Sequence, residues 1–297
     1  MDDLVVVAIA GFFAAIVDGA LGMGFGPTST SILLSQGLSP KTVSTTVNLA
    51  KVATGIVSGV AHWRFNNIDR RLVLRLAFPG SIGALIGVTV LASVNGDDLR
   101  PYLAGLLLLV GIRILLRFSR PLPLAPDTID PSVSDERPPP FDETGVEIAA
   151  TVGGITNGLV GAWGPVVTPY LLHRGLTPRF AVGSVNTAEV AVAVVSAGSL
   201  VASPGGEGLD AEVVLAMLGG GVLAAPLAAY VVRFVPARLL GLAVAALLLL
   251  TNIRELAGSW DLHDWGWAYY GFALVLVALA AARPRLTRIV SARRGTV

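Results

Sequence analysis

Polar positions along this chain are sparse and come at regular intervals. Apolar runs cover Leu4–Gln36, Thr42–Ala61, Leu72–Val94 and Tyr102–Phe118, then Val146–His173, Phe180–Ala202, Ala211–Val232, Ala237–Asn252 and Trp265–Ala282. A run of about 20 apolar residues suffices to cross a hydrocarbon core about 30 Å thick as a helix. Two of the runs are interrupted, by "GALGMGFGP" at Gly19–Pro27 and by "NGLVGAWGP" at Asn157–Pro165. Between the two sets lies "SRPLPLAPDTIDPSVSDERPPPFDETG", Ser119–Gly145. Its proline-rich, polar composition cannot bury a core, which predicts a flexible extramembrane loop. The pattern as a whole predicts an all-α polytopic membrane protein.

The two sets are one unit written twice. Gly26–Pro27 returns at Gly164–Pro165, "GLSPK" at Gly37–Lys41 returns as "GLTPR" at Gly175–Arg179, and "VNLAKV" at Val47–Val52 returns as "VNTAEV" at Val185–Val190, always 138 residues on. Agreement at Gly, Pro and Asn in one register is a repeat signal that two chance apolar helices do not give. The last run, Trp265–Ala282, has no counterpart in the first set.

Lysine and arginine in the loops set the orientation. If each interrupted run crosses fully, Arg233, Arg238 and the arginines of the tail fall outside. If each dips in and returns to its own side, Arg64, Arg70, Arg71, Arg174, Arg179, Arg233, Arg238 and the tail are all cytoplasmic. The second arrangement satisfies the positive-inside rule. It predicts two inverted repeats, each a broken, re-entrant hairpin plus three transmembrane helices, with one extra C-terminal transmembrane helix. The N-terminus is then outside and the C-terminus in the cytoplasm. The expected units are 1–118 (first repeat), 119–145 (cytoplasmic linker), 146–257 (second repeat) and 258–297 (extra helix and basic tail). The opening "MDDLVVVAIAGFF" lacks a basic stretch and reads as a retained first membrane segment, not a signal peptide.

Composition supports this picture and removes alternatives. Only 14% of residues are charged and 54% are hydrophobic, against about 25% charged in a soluble domain. There is no cysteine, so neither a disulfide nor a thiolate metal site is expected. The three histidines do not fall at metal-ligand spacing, and neither HExxH nor GxSxG occurs. No Walker motif is present, so ATP is not the direct drive. The expectation is a protein that is not an enzyme and holds no cofactor and no metal.

Inverted repeats with broken helices are the architecture of secondary transporters, whose sites lie near the midplane. Non-helical backbone at membrane depth is tolerated where it is buried in protein or lines a cavity. Half-helices starting near Pro27 and Pro165 would aim free N–H groups and positive dipole ends at the interior, forming a cradle for an anion. The candidate substrate-binding residues are therefore Gly24, Gly26, Pro27, Thr28 and Ser29 in the first break, and Gly161, Trp163, Gly164 and Pro165 in the second. Trp163 would either wall the cavity or pack. Lys51 and Glu189 occupy matching mid-helix positions, with Asn48 and Asn186 three residues earlier on the same faces, where their amides are further candidates to bind substrate oxygens or else bond between helices. A charge there costs roughly 2.5–3.5 kcal/mol and needs a partner or a task. Two readings stand open: an ion pair locking the halves, or Lys51 binding an anion with Glu189 as counter-charge or coupling group. Asp18, at the first break, is a second counter-charge candidate or a cap for the half-helix. His62 and His173 read as interfacial, and Trp260, Trp265 and Trp267 as an aromatic belt.

The stretches Asp18–Lys51 and Asn157–Glu189, with the arginine-containing loop after Ala61, resemble the TauE/SafE family of sulfite exporters, also called toluene sulfonate uptake permeases. The resemblance covers nearly the whole chain except the linker and the tail. It implies a multi-pass transporter of the bacterial plasma membrane for small sulfur-containing anions such as sulfite, sulfonates or sulfoacetate. The expected partners are thus a small anionic substrate and the lipid bilayer, with no nucleic acid, and a homodimer is left open. The expected function is a secondary transporter for such an oxyanion working by alternating access. The alternatives are an anion channel with the same midplane site, or a transporter of a non-sulfur organic acid.

Overall fold

Each apolar run forms helix, and each interrupted run forms two. The computed structural model describes residues 2–21, 23–120, 140–203, 209–231, 237–259 and 266–294, and within these there are eleven helices and no strand. In the first set these are α1 (Asp2–Leu21), α2 (Phe25–Ser35), α3 (Pro40–Arg64), α4 (Arg70–Ser93) and α5 (Gly96–Ser119). The second set has α6 (Val146–Val160), α7 (Gly164–His173), α8 (Pro178–Val201), α9 (Ala211–Val231) and α10 (Ala237–Ser259), followed by α11 (Gly266–Arg294). Gly22, most of the expected linker, Arg233, Trp260 and Trp265 lie outside the described residues.

The repeated "GLSP" and "GLTP" motifs are a stop followed by a start. Gly37 and Gly175 end the half-helices α2 and α7 in the left-handed conformation, with φ of 85° and 93°, a backbone state open to glycine. Pro40 and Pro178 then open α3 and α8, where the missing N–H costs nothing. The Ser39 hydroxyl caps α3 by accepting from Thr42 N–H. Asp69 and Asn95 do the same for α4 and α5.

By length and composition, α4, α5, α8 and the Arg238–Ser259 part of α10 can each cross a membrane. Helix α3 is as long, at 25 residues, but less apolar. Its polar residues Ser44, Thr45, Thr46, Asn48 and Lys51 are turned inward and buried. The outer surface is the reverse, with Leu74, Phe78, Tyr102, Leu109, Leu215, Val222 and Phe272 all well exposed. Apolar outside and polar inside is what a lipid solvent selects.

Helices pair across the two sets. The first helix of each set packs on the fourth of the other, α1 on α9 and α6 on α4, while α3 packs on α8 and α5 on α10. Exchanging the sets maps this scheme onto itself. Both exchanged pairs use the same device, backbone brought to backbone. A Cβ on Gly83 would lie 2.1 Å from Thr151 O, and one on Gly220 would lie 1.9 Å from Ala8 O. Small residues at such contacts let helices approach in lipid.

The ends of the half-helices are clasped. Beside the start of α6, Tyr170 on α7 donates to Thr144 O at 2.6 Å and Arg174 pairs with Asp142. The α6–α7 segment therefore folds back, its two ends side by side. Arg75 at the start of α4 pairs with Glu143 and Glu147 at this same end. The C-terminal end of α2 is held by Arg100 of α5, which donates to Gly37 O at 2.9 Å and Leu38 O at 3.1 Å. Pro40, opening α3, packs there against Gly96. At the far end of α3, Asn67 packs on Gly183 and Asp69 N–H donates to the Ser184 hydroxyl. The C-terminal ends of α2 and α7 thus lie toward opposite ends of α3.

Candidate functional site

Ser44, Asn48 and Lys51 are spaced i, i+4 and i+7, so they share one face of α3. That face meets the C-terminal end of α6. The Ser44 hydroxyl donates to Gly158 O at 2.9 Å, and Asn157 Nδ2 donates to Asn48 Oδ1 at 2.7 Å and to the Ser196 hydroxyl at 3.1 Å. Lys51 Nζ donates to Asn157 Oδ1 at 2.9 Å, to Gly161 O at 2.6 Å and to Glu189 Oε1 at 2.5 Å. An ammonium has three N–H donors, and all three are engaged. The ammonium also sits at the negative end of the α6 dipole, where a cation is favourable. Lys51 is 5% exposed and Asn48 and Asn157 are fully buried. Such a pair is costly to desolvate, and it stands because hydrogen bonds complete it.

The break after α6 is fixed by its own backbone. Gly161 is left-handed, φ 69°, and its N–H closes on Asn157 O at 2.8 Å. The Thr156 hydroxyl donates to Ala162 O and to Gly153 O. In the other break Gly24 has φ 139° and Phe25 N–H donates to Asp18 Oδ1 at 3.4 Å. Asp18 therefore caps α2, one of the two roles open to it from the sequence. The breaks touch directly, since a Cβ on Gly26 would lie 1.9 Å from Gly161 O.

Where they touch, a narrow cleft opens, lined by both breaks. Its walls include Gly24, Gly26, Pro27 and Asp18 from the first set, and Gly161, Gly164 and Pro165 from the second, with Lys51 and Glu189 between them in the pairing already described. Met23 and Phe25 also line it, and neither was singled out from sequence.

The other expected residues lie elsewhere. Thr28 and Ser29 are buried in α2, away from the cleft wall, and their hydroxyls have no hydrogen-bond partner. Asn48 stands behind Lys51, bonded to Asn157. Trp163 is fully buried against Gly80 and Gly153, its indole N–H on Val185 O at 3.1 Å. Of its two readings, the structure has the packing one. Asn186 does not repeat the role of Asn48 and only reaches Ser58 Oγ, at 3.5 Å. The residue that the sequence reading passed over is Asn157. Its signal was present, an amide opening the second break where the first set has glycine at position 19.

Among the described residues no group of His, Cys, Asp or Glu is placed to hold a metal ion. What the cleft offers is one ammonium, two carboxylates, the N-terminal ends of two half-helices and little room. Its cavity volume, about 10 Å3, is about what one water needs.

Comparison with known proteins gives a consistent result. The family model "Sulfite exporter TauE/SafE" matches residues 7–254. The chain is 38% identical over 261 residues to the probable membrane transporter protein YtnM of Bacillus subtilis (strain 168), covering 88% of this chain and 85% of that relative. No solved structure gives a significant match.

Proposed function

Because the chain belongs to the sulfite exporter TauE/SafE family, and is thereby a multi-pass membrane transporter, we propose that it moves a small sulfur-containing oxyanion across the bacterial plasma membrane. Sulfite, a sulfonate or a sulfoacetate-like anion fits this reading. The observation that carries it is the cleft in which both Gly-Pro breaks meet around Lys51. A buried cation beside two half-helix N-termini is the arrangement that replaces the hydration shell of a small oxyanion. The binding set is Gly24, Gly26, Pro27, Lys51, Gly161, Gly164 and Pro165, with Asn48 and Asn157 holding the lysine. Glu189 and Asp18 are the counter-charges.

The transport cycle is alternating access by a secondary transporter. Repeats 1–118 and 146–257 are inverted, each a re-entrant hairpin followed by three crossings, with the N-terminus outside and the C-terminus cytoplasmic. The fold-back of α6 and α7 supports the hairpin. The exchange symmetry of the helix pairs supports the repeat. The two half-helix ends, clasped toward opposite ends of α3, support the inversion.

A thermal-shift series on purified protein tests the substrate class. A ligand that binds only the folded state stabilises it by about 2.7 kcal/mol at a hundred times its Kd. Sulfite or small sulfonates are expected to raise Tm while acetate and chloride do not. A response to carboxylates alone, or to none of these anions, would rule the assignment out.

A further inference from the structure

We infer that Glu189 takes up the proton that accompanies each bound anion, and that this proton frees one N–H of Lys51 to hold the anion. The inference rests on the reading of the cleft as an anion site.

Two observations lead to it. First, Lys51 has no donor to spare: its three N–H groups go to Asn157 Oδ1, Gly161 O and Glu189 Oε1. Two of these acceptors are built into α6 and its end and cannot leave without undoing the break. Glu189, on α8, is the one acceptor that a change of charge can release. Second, the cleft is formally negative. Lys51 carries one positive charge, and Asp18 and Glu189 one negative charge each. A monoanion entering as things stand would meet like charge with little water to screen it.

One proton answers both. It adds to a carboxylate oxygen of Glu189, leaves Lys51 as an ammonium and brings the cleft from one net negative charge to neutral. The neutral acid no longer competes for the lysine N–H, which turns to the anion. On the other side of the membrane the anion leaves, the proton follows, and the Lys51–Glu189 pair re-forms. Anion and proton therefore travel together, one for one.

The charged groups around Glu189 leave it this role. Helix α3 offers Lys51 and α1 offers Asp18; α6 faces Lys51 with the neutral Asn157. Helix α7 contributes Gly164 and Pro165 to the cleft. Helix α4, also packed on α8, keeps Arg70, Arg71 and Arg75 in its first six residues, where Arg71 and Arg75 reach Glu143. Asp18 accepts from Phe25 N–H, while the N–H groups of Lys51 go to Asn157, Gly161 and Glu189, so a proton on Asp18 frees no lysine donor.

The test is proton uptake on binding, measured in weakly buffered detergent solution with methanesulfonate, whose own charge is constant from about pH 6 to pH 8. The expectation is about one proton taken up per anion bound, and an affinity that falls about tenfold per pH unit on the alkaline side. Glu189→Gln, which mimics the neutral acid, should bind the anion with no proton uptake and no pH dependence. Binding by the wild type without proton uptake, or uptake that persists in Glu189→Gln, would overturn the inference and leave the anion site standing. Failure of methanesulfonate, sulfoacetate and sulfite all to bind would remove both.

Discussion

The two breaks have the same backbone plan and different surroundings. Each ends a long helix, turns at glycine and starts a half-helix at or beside Gly-Pro. In the first, an acid from the preceding helix caps the new one: Asp18 accepts from Phe25 N–H. In the second, the residues 138 positions on from Asp18 and Gly19 are Thr156 and Asn157. Thr156 ties the turn to itself, and Asn157 ties it to the first repeat through Asn48 and Lys51. So the lysine of the first repeat stabilises the break of the second, while the glutamate of the second neutralises that lysine. The shared backbone plan and the differences at a handful of positions together make the polar cluster asymmetric.

The sharpest way to break this comparison is to remove the shared cation. Lys51→Met should cost up to about 3–5 kcal/mol, because the half-buried Glu189 is left without its partner. Thermal unfolding in detergent reads it, and a change below about 1 kcal/mol would mean that the pair is dispensable. Exchanging the charges, Lys51→Glu with Glu189→Lys, separates a simple lock from the arrangement described. A lock survives the exchange. Here Gly161 O and Asn157 Oδ1 lose their donor, so the exchange should recover little of the lost stability.

Next in size is the contact between the breaks. Gly26→Ala places a methyl against Gly161 O and should cost about 1–3 kcal/mol or more, along with most transport. Below that comes a pair of asparagines. Asn157→Ala should cost about 1–3 kcal/mol by stranding buried partners, whereas Asn186→Ala should stay within about 0.5 kcal/mol. Equal effects would restore the symmetry that the structure lacks.

The smallest effect concerns the outer clasps. The first half-helix is held by Arg100 on carbonyl oxygens, the second by Arg174 on Asp142. Asp142 is drawn down to about 2 by hydrogen bonds from Thr144 and then by Arg174. A depressed carboxylate stabilises above its unfolded value, near about 4, and that contribution is lost as pH falls toward about 2. Asp142→Asn should therefore flatten the acid limb of a pH–Tm profile and leave the neutral region nearly unchanged. A profile identical to wild type would show that the clasp contributes nothing.

Much of this was legible in the chain. Apolar runs place the helices, and the repeated Gly, Ser/Thr and Pro place their stops and starts, because those residues act through local backbone geometry. The pairing of Lys51 with Glu189 was one of the two readings that their equal depth in matched helices left open. Contacts without a local signature were not legible. Asn157 meets Lys51 across 106 residues of sequence, and only the packing of α6 on the α3 face reveals it. Asn186 shares the frame of Asn48 but faces Ser58, since symmetry in sequence does not guarantee symmetry in partners. Helix α11 runs on to Arg294, past the expected end at Ala282.

The central question is whether the cleft around Lys51 passes an anion. Flux of labelled sulfite or methanesulfonate into proteoliposomes decides it, with wild type beside Lys51→Met at equal folded protein. Saturable uptake against a concentration gradient is expected for wild type, collapsing with an uncoupler and falling at least about tenfold in the variant. Flux that is equal in the two proteins, or absent for every sulfur oxyanion tried, would contradict it.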